Sequence, residues 1–179
     1  DYSQIEARVL PWLAGEEDVE AESVLDIFRN GRDIYSENAV RMFKLDSIEQ
    51  VTKELRASAK VAVLALGFGG GYNALINMSK AYGMALTEEE ARTLVELWRA
   101  SNPWAHHLWY GLQNAAHKAI KTPNTQFTHG RISYYYDGAD WLWAMLPSGR
   151  CIAYCQPRFE MVDYPWGDSG VELTALWGS

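Results

Sequence analysis

The chain has 179 residues, 48% of them hydrophobic, enough for one sizeable core with room for a subdomain. Its net charge of −7 counts against an ordinary basic nucleic-acid-binding surface, although not against a site that gathers carboxylates around a divalent cation. No run approaches the roughly 18 apolar residues needed to span a bilayer, and the acidic start is unlike a signal peptide, so no membrane partner is expected. The sequence does not begin with Met, and a piece of a longer polypeptide is expected. Cys151 and Cys155 form neither a disulfide framework nor a Cys-x-x-Cys pair. They read as two small buried side chains in a reduced, cytoplasmic setting.

Ser3 followed by Glu6 has capping-box spacing, so a helix is expected from Gln4, with Ile5, Val9, Leu10 and Leu13 inward. Pro11 should kink or shorten it, and Gly15 ends it. Residues 17–30 read as an acidic amphipathic helix with Gly31 just beyond its end. Asp33 can cap the next helix, to about Phe43. Ser47 can cap another, which turns almost wholly apolar from Ala57 to Leu66, the pattern of a buried helix or one packed on a ligand. Gly67 and Gly69 to Gly71 stop it and read as a hinge. A short helix over 72–82 follows. Thr87 and Glu90 then make a second capping box for a helix ending near Ser101, and Asn102-Pro103 opens a helix to about Lys121. After Pro123 the stretches 125–136, 140–147 and 149–156 are rich in Thr, Ile, Tyr, Phe and Trp, with Asp137-Gly138 and Pro147-Ser148-Gly149 between them. They read as short antiparallel strands. The last 20 residues read as loop, without a placement. The fold class is therefore α+β, mainly α: a helical body of about 120 residues and a β-rich segment of about 35.

Two segments carry chemistry. Asp1 and Glu6 place two carboxylates at a strand-to-helix junction, where oxygen ligands suit Mg²⁺. Read alone, these residues fit a frayed terminus and a completed capping box better than a metal site. The second segment is Arg56-x₃-Lys60-x₃-Leu64-x₃-Phe68-Gly69. Steps of four drift only about 40° around a helix, so these side chains share one stripe, cations first and apolar residues last. That order fits a ligand with an anionic tail and a flat head, such as a nucleoside triphosphate, with the phosphates on Arg56 and Lys60 and the base against Leu64 and Phe68. An amphipathic helix with a solvated cationic edge is the plain alternative. Ala57, Ala59, Val61, Ala62 and Val63 crowd Lys60, which argues that it snorkels or binds something.

In this order and spacing, the two segments resemble motifs A and B of family A DNA polymerases. Asp1-Tyr2-Ser3-Gln4-Ile5-Glu6 with Arg8 is similar to motif A nearly residue for residue. Arg56-x₃-Lys60-x₇-Phe68-Gly69 is similar to the fingers helix. Asp33-Ile34-Tyr35 resembles the family's Asp-Ile-His, and Asn102-Pro103 and Leu146-Pro147-Ser148-Gly149-Arg150 resemble later segments. The pattern is similar to phage-encoded members. The resemblance implies a palm fragment over 1–15, a helical fingers subdomain over 16–124, and a hairpin-rich palm-side segment with a tail over 125–179. It implies Mg²⁺ held by Asp1 and the Tyr2 carbonyl, and catalytic roles for Asp1 and for Lys60, which could donate a proton to pyrophosphate. Glu6 would lie beneath the sugar, with Gln4 beside it in the motif. Arg56 and Lys60 would grip the triphosphate, with Tyr35 near the phosphates, Phe68 and Gly69 near the templating position, and Leu64 on the stripe. Partners would be dNTP, primer-template DNA and the rest of the palm and thumb, in the cytoplasm, or the host cytoplasm for a viral protein.

Three residues depart from the pattern. Leu64 stands where the family has Phe or Tyr, Phe68 replaces Tyr, and Tyr35 replaces His. No His-Asp-Glu of motif C occurs in the chain, so the isolated piece is expected not to extend primers. Two alternatives stand beside this reading. One is a non-catalytic helical nucleotide- or DNA-binding module. The other is a metal site from His106, His107, His117 and His129, whose spacings lack the i, i+4 pairing of helical zinc sites.

Overall fold

The chain order of apolar and capping residues translates into seven helices and a five-stranded antiparallel sheet among the residues described. The structure is a computed structural model and describes residues 4–164 and 167–176. The helices are α1 (Ile5–Ala14), α2 (Val19–Arg29), α3 (Ile34–Phe43), α4 (Lys53–Leu66), α5 (Tyr72–Ala81), α6 (Glu88–Ser101) and α7 (Pro103–Lys121). The strands are β1 (Gln126–His129), β2 (Ile132–Tyr136), β3 (Trp141–Met145), β4 (Cys151–Asp163) and β5 (Ser169–Leu176). The chain divides into two compact units, with the division inside α7 after Trp109. No helix of the described residues is long and apolar enough to cross a membrane.

In the first unit the helix starts are written locally. Asp18 accepts from the backbone N–H groups of Glu20 and Ala21, Asp33 from that of Ser36, and Thr52 from that of Leu55. Thr87 and Glu90 make both halves of a capping box. Ser47 does not cap α4 as expected. It precedes a three-residue 3₁₀ turn, Ile48–Gln50, without a side-chain cap bond, and Thr52 starts the helix instead. α1 runs through the buried Pro11 to Ala14, and Gly15 ends it. Val24, Ile34, Met42, Val61, Leu66 and Leu75 are buried, and Trp98 stacks on Trp109 with ring centroids 6.1 Å apart. A buried polar node lies among them. The Asn102 amide donates to the Asn38 side-chain oxygen and to the Trp98 carbonyl, and its own oxygen accepts from the Trp104 indole.

In the second unit the sheet is a meander in the order β1-β2-β3-β4-β5. Residues 125–136 are not one strand, because Gly130-Arg131 turns the chain and pairs His129 with Ile132. Asp137 closes the next turn, accepting from the backbone N–H groups of Ala139 and Trp141. Ala116 and Ala119 of α7 pack with Leu142, flanked by Phe127, Tyr134 and Tyr154. β4 continues past Gln156-Pro157, where the strand reading stops. A bulge between Cys155 and Arg158 absorbs the proline, which has no N–H to give to a ladder. β5 pairs with β4 from Ser169 opposite Asp163, so most of the tail left unplaced is strand. Cys151 is exposed and Cys155 half-buried on β4, so they are not the buried pair expected.

Candidate nucleotide-binding site

α4 lifts Arg56, Lys60 and Leu64 along one side of the first unit. The helix ends at Leu66, so Phe68 lies in the turn beyond it and not on the helical stripe. Its ring is 66% exposed. Gly69 follows with φ +81° and donates its N–H to the Leu66 carbonyl. That left-handed turn favours glycine. A Cβ at Gly70 would overlap the Ala65 carbonyl oxygen, so this residue too is required for the chain to double back. Two side chains hold the loop. Trp109 donates its indole N–H to the Gly67 carbonyl at 3.1 Å, and Arg99 reaches the Gly70 carbonyl at 3.3 Å.

The cations rest on an aromatic floor from α3. Tyr35, 6% exposed, lies with its ring centroid 5.4 Å from the Arg56 guanidinium carbon and 5.8 Å from the Lys60 ammonium. Tyr82, at the end of α5, brings a second ring to within 4.6 Å of the same ammonium. Arg56 is also forked onto Asp33, with Nε to Oδ2 at 2.8 Å and Nη2 to Oδ1 at 3.0 Å. Asp33 thus both caps α3 and holds Arg56. Burial, then Tyr82 and Asp33, raise the Tyr35 phenol above its ordinary value, while Arg56 acts in the opposite sense. The phenol is therefore neutral at pH 7 and offers a π face and a hydroxyl.

Asp33 gives a pH prediction. Burial pushes its carboxyl up, but the bonds from Arg56 and Ser36 outweigh burial and hold it below the ordinary value of 3.8. A depressed carboxyl contributes stability that is full above its unfolded value and is lost as pH falls through the folded one. Asp33→Asn keeps an N-cap oxygen but loses the ion pair. Wild type is expected to melt a few degrees above D33N at pH 6, a gap of up to about 1 kcal/mol for a partly exposed pair. The gap should narrow as pH falls below 3.8 in melting curves; a gap that stays constant down the acid range would sink this account.

The structure thus brings Tyr35, Arg56 and Lys60 together, with half-buried Leu64 one turn on. Glu6, exposed in the first turn of α1, lines with Phe68, Leu10, Val63 and Trp104 a cleft of about 20 Å³. That is room for about one water, far too little for a base, so the flat surface on offer is the exposed Phe68 ring. Gln4 is the N-cap of α1, left-handed at φ 58° and without a side-chain cap bond. Asp1 and Tyr2 lie outside the described residues, as does Ser3 of the first capping box. Among the described residues no group of three or more His, Cys, Asp or Glu could hold a metal ion, and the four histidines do not assemble into one. His106 packs on Trp109, and His117 meets the Phe159 ring edge-on. Sequence reading missed Asp33 as a partner of Arg56, and it missed Tyr82. The Asp33 capping signal was visible; its reach to Arg56, 23 residues on, was not.

Residues 1–135 match the family model described as DNA polymerase family A. The chain belongs to DNA polymerase family A. It is 43% identical over 164 residues to the DNA polymerase of Bacillus phage SP02, an alignment covering 90% of this chain and 24% of that protein. It is 36% identical over 103 residues to DNA polymerase I of Geobacillus stearothermophilus, covering 58% of this chain and 10% of the relative. Among solved structures, the POL domain of Pol1 from M. smegmatis, in complex with DNA primer-template and dNTP, matches with a TM-score of 0.49 and 28% identity, over 66% of this chain and 19% of that one. The chain therefore spans about a quarter of the phage polymerase's length and about a tenth of that of the Geobacillus DNA polymerase I. The family A match covers every element from α1 to β1 and most of β2.

Proposed function

We infer that this chain is the fingers with part of the palm of a template-directed DNA polymerase, which adds deoxynucleotides to a primer 3′-end by two-metal nucleotidyl transfer. The observation that carries this is the convergence of Arg56 and Lys60 over Tyr35, on the α4 stripe of a family A chain. In this reading 1–15 belong to the palm, 16–124 are the fingers, and 125–179 return to the palm side. Arg56 and Lys60 grip the triphosphate of a dNTP, and Tyr35 lies under the phosphates. Lys60 can donate a proton to the departing pyrophosphate. Phe68, with Gly69 allowing its turn, presents a ring to the templating base. Leu64 follows the cations toward the sugar, and Glu6 with Gln4 borders the sugar from α1. Leu64 in place of an aromatic residue leaves a smaller wall there, so sugar discrimination should differ from that of relatives with Phe or Tyr.

The donor set of Asp1 and the Tyr2 carbonyl has the oxygen chemistry that Mg²⁺ takes. When bound, the metal pair would neutralise charge on the transferring phosphates. One carboxylate does not hold two ions. The remaining partners are primer-template DNA and the rest of the palm and thumb, in the cytoplasm or, for a phage protein, the host's.

Primer extension and calorimetry test the reading. The purified 179-residue chain should bind Mg²⁺-bound dNTP saturably, and tripolyphosphate should compete. It should extend no primer, because motif C is not in the sequence. Failure to bind any triphosphate would remove the nucleotide-gripping role, and incorporation by the chain alone would overturn the need for motif C.

A further inference from the structure

Tyr82 is held where it can act on Lys60. It is the residue that closes α5, and the closure is a Schellman motif: Gly83 N–H bonds the Lys80 carbonyl at 3.1 Å, and Met84 N–H bonds the Ser79 carbonyl at 2.9 Å. Gly83 supplies the left-handed residue the motif needs, at φ +71°. The backbone at Tyr82 is therefore set by local hydrogen bonds, and its ring, 45% exposed, stands over the Lys60 ammonium at 4.6 Å. The buried ring of Tyr35 lies 5.8 Å from the same ammonium. Both rings are within the range where the negative face of an aromatic attracts a cation.

We propose that Tyr82 is a positioning residue for nucleotide binding, which with Tyr35 cages the Lys60 ammonium so that it meets an incoming triphosphate already aimed. This rests on the reading of Arg56 and Lys60 as the triphosphate grip. The physical reason is entropy. Lysine is a compact charge on a flexible four-carbon stem, and gripping a phosphate costs it rotamer freedom. Arg56 is spared much of that cost by its planar fork and by Asp33. Lys60 has no such fork, and the two rings restrict it instead. An ammonium has three N–H groups, and the rings engage it through their faces, which leaves N–H directions for phosphate oxygens.

The experiment uses the whole chain with its lysines ¹³C-dimethylated, a change that keeps their charge. Lys60→Arg assigns the Lys60 signal. That signal should be shifted upfield by the rings in wild type and in Tyr82→Phe, and should return to the ordinary lysine position in Tyr82→Leu. Titration of the unmethylated proteins with Mg²⁺-bound dATP should show affinity about two- to fivefold weaker in Y82L, the size of an exposed cation–π contact, and restored in Y82F. An unshifted Lys60 signal in wild type, or Y82L binding as tightly as wild type or tighter, overturns the proposal. If no form binds triphosphate while the ring shift still depends on Tyr82, the nucleotide reading and the positioning role fail together, and the ring contact alone stands.

Discussion

Removing both Arg56 and Lys60 is expected to weaken binding of Mg²⁺-bound dNTP by at least about a hundredfold. A hydrogen bond to a charged group contributes about 1.5–3 kcal/mol, so two such grips sum to about 3–6 kcal/mol, and each 1.4 kcal/mol is tenfold in affinity. The fold should survive, because the Arg56–Asp33 pair is partly exposed and such pairs contribute little to stability. Asp33 keeps its capping bonds to Ser36 when Arg56 is gone. The measurement is calorimetric titration of wild type and the R56A/K60A variant, with circular dichroism to confirm that both are folded. Unchanged affinity in a folded variant would mean that the nucleotide binds elsewhere, and the α4 stripe would lose its role. A loss confined to Arg56→Ala would assign the triphosphate to the guanidinium fork and leave Lys60 to proton donation.

Trp98→Ala is expected to destabilise the first unit by about 3–5 kcal/mol, the range for truncating a buried aromatic residue. Trp98 is 2% exposed, stacks on Trp109 with planes 19° apart, and its carbonyl accepts from Asn102. The loss would take a large share of the 5–15 kcal/mol that holds a typical domain together. It should lower the melting temperature by more than about 10 °C. The effect should reach the site. Arg99, the next residue, holds the Gly70 carbonyl, Trp109 holds that of Gly67, and Trp98 itself lines the cleft beside Glu6 and Phe68. Thermal denaturation with dNTP titration on the same samples checks both parts. A loss below 1 kcal/mol would show that Trp109 and its neighbours collapse into the space without cost. Trp98→Phe should be milder, because it keeps an aromatic face against Trp109.

Much of this molecule was legible along the chain because its determinants are local. The capping box of Thr87 and Glu90, the Asp33 cap and the Asn102-Pro103 start of α7 are decided within three or four residues. The four-residue repeat of Arg56, Lys60 and Leu64 is equally local, since a helix converts spacing into a shared side. Phe68 escaped that logic because the glycines behind it end the helix at Leu66. Ser47 lost α4 to Thr52 because a 3₁₀ turn intervened, and capping signals alone do not rank two starts five residues apart.

Contacts between distant segments were not legible. A strand needs a partner, so β5 appeared only where β4 offered Asp163, Val162 and Met161 to pair, and the bulge before Arg158 carried β4 past a proline that reads as a stop. Asp33 reads as a cap and nothing more until α3 packs on α4 and Arg56 arrives on its carboxylate. Tyr82 reads as the end of a short helix until its ring meets Lys60. The sequence by itself determined the helices, the order of cations and apolar residues, and the polymerase family. The tertiary structure alone decided which carboxylate holds Arg56 and which ring faces Lys60. Backbone caps and turns are encoded by neighbours, whereas charge pairs and aromatic contacts depend on distances that exist only after packing.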